Sequence, residues 1–313
     1  MGTLEAASIK DNEVRRTRAM TQPVMSTTTH LNTLPESCTW RRLRPSKGWM
    51  SLNLAELWEY RELVYFLAWR DVKVRYKQTI IGVAWVLLQP VAMVAVFWLI
   101  FGRLVPVPSD GVPYPLYVLV ALVPWQFFSR VVADSTNALI TDQRLITRVY
   151  FPRLVVPIAT AMTALADFAV AMCVVALAAI WFGMIPGSAI VLLPIAILFM
   201  VAASLGVGFW FSALNVEYRD VMHAIPFLVQ FWFFVTPVLY ATSLLPDNWR
   251  WLFAFNPMTV VVELFRWCFL GTGLISAYIS GISAAVAIGS FFTGMVWFRR
   301  RERTFVDSLG GGA

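Results

Sequence analysis

Histidine is nearly missing from this chain: His30 and His223 are the only two, too few and too far apart to form a metal cluster. Cysteine is scarce as well. Cys38, Cys173 and Cys268 share no CxxC spacing, and an odd, scattered set argues against a disulfide framework and a zinc site alike. Lysine stands only at Lys10, Lys47, Lys73 and Lys77, and none of them follows a glycine. The phosphate-cradling GxxxxGK[ST] loop therefore cannot be written here, which excludes a P-loop ATPase. Outside the loops at residues 134–153 and 217–220, no His, Asp or Glu group gathers at one membrane face as a membrane-bound transferase requires. Charge of either sign is thin, at 14% of residues against about a quarter in soluble domains, while 59% are hydrophobic.

Long apolar runs take the place of these residues. A helix needs about 20 apolar residues to cross the hydrocarbon of a bilayer. Six stretches qualify, at residues 82–101, 112–129, 154–182, 188–216, 224–245 and 274–298. The expected fold is an all-α polytopic membrane protein whose membrane domain covers residues 79–300. Residues 246–271 break the pattern. Asn256-Pro257 opens a helix that runs to about Leu270, where Gly271 and Gly273 stop it. About 14 residues is too short to span, so a re-entrant pair is expected. Glu263 and Arg266, at i, i+3, share one face of that helix as a structural pair or an exit-side gate.

Residues 53–78 read as an amphipathic interface helix. Leu57, Tyr60, Val64, Leu67 and Val74 follow helical spacing, and Glu59, Glu62, Arg70, Lys73 and Lys77 fall on another face. Trp58, Tyr65, Phe66 and Trp69 are expected at headgroup depth. Residues 1–52 carry no apolar signal-peptide core and read as a disordered tail, and residues 301–313 form a second tail.

The net charge of +7 is distributed by topology rather than as a nucleic-acid footprint. Arg70, Lys73, Arg75 and Lys77 precede the first span; Arg130, Arg144, Arg148 and Arg153 occupy the second loop. Arg219 follows the fourth span, and Arg299, Arg300, Arg301 and Arg303 follow the last, whereas Arg103, Arg250 and Arg266 stand on the opposite side. Both termini are expected in the cytoplasm.

Polar and aromatic residues at depth are the functional candidates. Asp167 is the one acid in the middle of the third span, either a functional carboxylate or a group hydrogen-bonded to a nearby Ser, Thr or Trp. Without a basic partner in a neighbouring span it argues against proton-coupled transport, and no internal repeat supports a secondary transporter. Phe227, Phe231 and Phe234 recur on one helix face and, with Trp85, Phe97 and Tyr240, are candidates to line a passage. Flat aromatic faces suit polymers that must slide; packing or lipid contact is the plainer reading. In the second loop, residues 134–153, Leu139, Ile140, Arg144, Leu145 and Arg148 alternate charge with aliphatic groups, as a short docking helix would or as an ordinary positive-inside loop would.

The run from Trp69 to Trp85, followed by Leu88-Gln89-Pro90, resembles type-2 ABC exporter permeases, in particular the polysaccharide, O-antigen and teichoic acid exporters of bacteria. The resemblance continues through Tyr150-Phe151-Pro152-Arg153, Asn215 to Asp220, Phe234 to Tyr240 and Phe255 to Met258. It implies a homodimer with the passage between two copies, in the inner membrane. It also implies a glycan substrate on a polyprenyl diphosphate lipid and two copies of a separate ATPase subunit that holds ATP and Mg. Leu139, Ile140, Arg144, Leu145 and Arg148, and then Glu217, Arg219 and Asp220, would couple to that subunit. A drug or small-lipid exporter of the same superfamily is the nearest alternative.

Overall fold

Lipid offers no hydrogen bonds to a backbone, so an apolar chain that crosses it must pair its amides internally. In a computed structural model of the chain, the described residues are 54–77, 83–105, 107–244, 246–272, 277–302 and 305, and they are helical with no strand among them. All belong to one compact unit, Leu52–Ala313. The tail at 1–52, with His30 and Cys38, lies outside the described residues, as do Arg303 and residues 306–313.

The interface segment forms α1 (Leu54–Glu59) and α2 (Arg61–Lys77). The first span is α3 (Val83–Phe97), which loosens into a π-helical turn at Trp98–Leu104. Then come α4 (Tyr114–Thr141), the short α5 (Gln143–Arg148) and α6 (Val155–Trp181). A 3-10 turn, Ser188–Leu192, leads into α7 (Leu193–Glu217), which is followed by α8 (Val221–Val235). Two short helices, α9 (Asp247–Ala254) and α10 (Pro257–Leu270), precede α11 (Ala277–Arg301). Five of these segments, ending at Leu104, Thr141, Trp181, Glu217 and Arg301, are long and apolar enough to cross a membrane.

Two expected spans are redrawn. The second does not stop near residue 129: α4 continues through Arg130 and Asp134 to Thr141 and is the most buried of the five. Charges that end a hydropathy window need not end a helix when they are paired, and Arg130 faces Asp134 one turn on at 3.6 Å. The expected loop at 134–153 therefore shrinks to little more than α5. The fifth stretch, 224–245, is not one helix. α8 ends at Val235 because Thr236 precedes Pro237, which forces it into extended backbone, and Pro237 has no N–H to continue the ladder. Its 15 residues reach about 22 Å, short of the ~30 Å core.

The helix expected to open at Asn256-Pro257 does so. Asn256 caps α10 by accepting the Met258 amide, Pro257 fills the first turn, and Gly271 closes the helix with φ +69°. The Asn256 side chain also accepts from Trp232 Nε1 at 3.1 Å and donates to Thr236 Oγ1 at 2.8 Å, so it fills the break after α8. Ser283 of α11 donates to the Asn256 carbonyl at 2.6 Å.

α7 and α11 cross at backbone contact. A Cβ at Gly206 would lie 2.6 Å from the Phe291 amide nitrogen, and one at Gly294 would strike the Gly206 carbonyl oxygen. Small residues of this kind let membrane helices approach closely. Trp210 and Trp297 stack 4.8 Å apart beside the crossing. Gly206→Ala is expected to cost about 1–3 kcal/mol by overpacking, read as a lower unfolding midpoint in detergent. Gly281→Ala, whose Cβ meets nothing within 4 Å, should leave the midpoint unchanged or raise it; equal losses at both positions would refute the contact.

Candidate functional site

The end of the bundle that carries Lys77, Thr141, Glu217 and Arg301 is called here the basic end. Helix α2 lies against it with Leu67 and Ala68 buried and Leu63 and Val64 half-buried. Trp58, Tyr65, Phe66 and Trp69 are exposed, Tyr65 and Trp69 stacking in parallel at 6.3 Å. Two assignments made from spacing are reversed: Val74 is exposed, and Arg70 turns inward. Arg70 Nη2 donates to both carboxylate oxygens of Asp142 at 3.1 Å, and its Nε donates to Asp71 at 2.8 Å. Partial burial lowers the Arg70 pKa, but those two carboxylates outweigh it and the net shift is upward.

Asp167 is the hub. It is 4% exposed, and the expectation that it has no basic partner is wrong. Arg75 of α2 donates to Asp167 Oδ2 at 2.5 Å, Arg130 of α4 pairs with the same oxygen at 2.6 Å, and the Tyr76 hydroxyl donates to Oδ1. Asp134 lies 3.6 Å from both arginines, so two acids and two guanidinium groups balance. Burial, then the hydrogen bond to Asp167, pushes Tyr76 up to about 12, which keeps it a donor at neutral pH. Hydropathy could not find this site, because its partners come from a helix and a span end about 90 and 40 residues away.

Beyond Asp142 the chain turns into α5. Leu139 is fully buried in the protein's own core, and Leu145 packs beside it, so the apolar face expected to dock elsewhere is already occupied. Ile140 is half-buried. The groups left outward are Arg144, Thr147, Arg148, Val149 and Tyr150, Tyr150 at 69% exposure. The turn after α7 is anchored by Asn215, which donates to the Thr136 carbonyl at 2.8 Å and accepts the Met222 amide at 3.0 Å. Around that anchor Tyr218, Arg219 and Asp220 are exposed, while Glu217 pairs with Arg301 of α11. Arg153 holds Glu302, bringing the end of α11 to the same face.

One flank of the bundle is open. α3 is held by a single stripe, Pro90 and Val94 with Met93 and Phe97 half-buried, and α8 by Ile225, Val229 and Phe233. Phe97 stacks on Phe233 at 5.8 Å, so the two helices meet there. Trp85, Phe227, Phe231 and Phe234 are exposed on this flank, whereas Phe97 is half-buried and Tyr240 donates to the Phe234 carbonyl at 3.1 Å. Phe97 is thus as much a packing residue as a lining one.

At the far end Arg266 and Glu263 are both buried and stand 3.9 Å apart. Arg266 donates from its two terminal nitrogens to the carbonyls of Val238 and Tyr240, at 2.9 and 3.4 Å, with its guanidinium 3.8 Å from the Tyr117 ring centroid. Glu263 accepts from Thr242 at 3.0 Å. Both residues brace the irregular segment after α8.

Residues 62–270 match the family model described as ABC-2 type transporter. Among curated proteins, the O-antigen export system permease protein RfbA of Myxococcus xanthus is 30% identical over 81% of this chain and 98% of its own length. The RfbA protein of Klebsiella pneumoniae is 27% identical over 79% of this chain and 91% of its own length. The polysialic acid transport protein KpsM of Escherichia coli is 24% identical over 76% and 93%.

Replacing Asp167 with Asn leaves Arg75 and Arg130 facing a neutral amide. The expected loss is about 3 kcal/mol in reversible unfolding in detergent, with α2 opening to protease. Adding Arg75→Gln should recover part of that loss, since the orphaned charge goes with it; wild-type stability in Asp167→Asn would rule the hub out.

Proposed function

Because this chain belongs to the ABC-2 type transporter family, we propose that it is the membrane permease subunit of a bacterial exporter for a polysaccharide carried on a polyprenyl diphosphate lipid. The basic end and both termini face the cytoplasm, following the lysine and arginine bias of the span ends. Two copies bring their open flanks together and enclose the passage. Two copies of a separate subunit hold ATP and Mg and supply the energy. The observation that carries the reading is coverage: three glycan export permeases match most of this chain and nearly all of their own length.

The geometry supports a division of labour. The groups turned outward at the basic end, Arg144, Arg148, Val149 and Tyr150 with Arg219 and Asp220, are the surface on which an ATPase presses. A push on α5 passes through Asp142 to Arg70 and so into α2, and from α2 through Arg75 and Tyr76 to Asp167 on α6. The flank of Trp85, Phe227, Phe231 and Phe234 offers flat apolar faces to sugar rings. The re-entrant pair α9 and α10 narrows the passage at the far end.

Deleting the gene should abolish surface glycan while lipid-linked glycan accumulates inside, with export restored by the wild-type gene; normal surface glycan in the deletion strain would end the reading. Tyr150→Asp with Arg148→Glu should break co-purification with the ATPase although the protein still inserts. Phe231→Ala with Phe234→Ala should slow export more than it changes ATP hydrolysis, and equal effects on both would indicate a packing role instead.

A further inference from the structure

We infer that Gln89 and Gln230 are hydrogen-bonding contacts for the hydroxyl groups of the passing glycan. The inference rests on the export reading above and adds to its aromatic lining two polar residues on the same flank.

The case begins with where amides sit. Among the described residues of the long helices and α8, Gln89 and Gln230 are the exposed side-chain amides; Gln126 and Asn137 are half-buried and Asn215 is buried. Neither Gln89 nor Gln230 makes a side-chain hydrogen bond to any described residue. An amide left facing hydrocarbon without a partner is costly, by about 1–3 kcal/mol on protein-derived scales. Outward faces elsewhere obey that rule: α6 turns out Met162, Cys173, Leu177 and Ile180, and α7 turns out Ile195 and Leu198. Both exposed amides are on α3 and α8, the helices that meet at Phe97 and Phe233, and on the export reading these two helices face the passage rather than lipid.

Depth and register sharpen the point. Gln230 lies about nine residues beyond the start of α8, or ~13 Å, near the middle of a ~30 Å core. It shares a helix face with Phe227, Phe231 and Phe234, and Gln89 shares one with Trp85, a turn earlier. With Phe97 level with Phe233, the two amides stand at heights about 7 Å apart along the bundle. A carboxamide both donates and accepts, so it serves a hydroxyl in either sense without fixing its orientation.

A second copy of the chain packed directly on this face is the rival occupant. Membrane helices that pack closely do so through small residues, as Gly206 and Gly294 do between α7 and α11. The flank instead presents Trp85, Phe227, Phe231 and Phe234, which hold a facing helix away and leave room for a polymer.

The test uses the full permease–ATPase complex in native membranes, with Cys38, Cys173 and Cys268 replaced. Gln89→Cys and Gln230→Cys should react with a charged, water-soluble methanethiosulfonate roughly tenfold faster than Leu177→Cys and Leu198→Cys, because thiolates form only where water reaches. Gln230→Leu should slow glycan export by about two- to tenfold, with Gln230→Asn between, while ATP hydrolysis persists. Protection of both cysteines like the lipid-facing pair overturns the proposal. So does a ready disulfide between copies at 230, and so does labelling with unchanged export in Gln230→Leu. Each of these is read only where the wild-type complex exports glycan; if it does not, the export reading has failed first.

Discussion

A charge buried inside a membrane bundle needs a partner, and the basic end of this protein is organised around that constraint. Asp167 comes from the middle of an otherwise apolar helix, and it holds Arg75, Arg130 and Tyr76 around it. Those partners belong to α2 and α4, so satisfying one carboxylate fixes three elements relative to one another. α4 continues past residue 129 through the same cluster, where Arg130 pairs with Asp134 one turn on and with Asp167. Removing the cluster would release the interface helix.

The far end solves a related problem with different parts. Pro237 stops α8 short of the length that spans a bilayer core, and the carbonyls of the irregular segment that follows need donors. Arg266 supplies two of those donors from α10, and Asn256 and Thr236 close the break from the side. Buried polar groups here repair a backbone.

Much of the architecture was legible in the sequence. Apolar run length marks five helical segments that are long and apolar enough to cross a membrane, and Asn256-Pro257 with Gly271 marks α10 because capping chemistry is local. The misreadings of Asp167 and Leu139 share a cause: each turns on a contact distant in sequence, whereas the redrawn span ends at Arg130 and Thr236 have local causes. Spacing along the chain shows no basic partner for Asp167, yet Arg75 and Arg130 reach it through the fold. From spacing alone Leu139 reads either as a docking residue or as part of an ordinary positive-inside loop, yet it fills the chain's own core. Alternation of charge and aliphatic residues shows that a segment has two faces and leaves open which face is already covered. An amide interrupts hydropathy too weakly to mark Gln89 or Gln230 in the sequence, and only its exposure gives it meaning.

Where the backbones of α7 and α11 touch at Gly206 and Gly294, neither helix can slide along the other without a steric collision. That pair, stiffened by the Trp210–Trp297 stack, behaves as a fixed post. α3 and α8, each gripped along one narrow stripe, are the shutters hung beside it. Compliance in this molecule is thus lodged on the side where bulky rings stand outward, and rigidity on the side where glycine permits none.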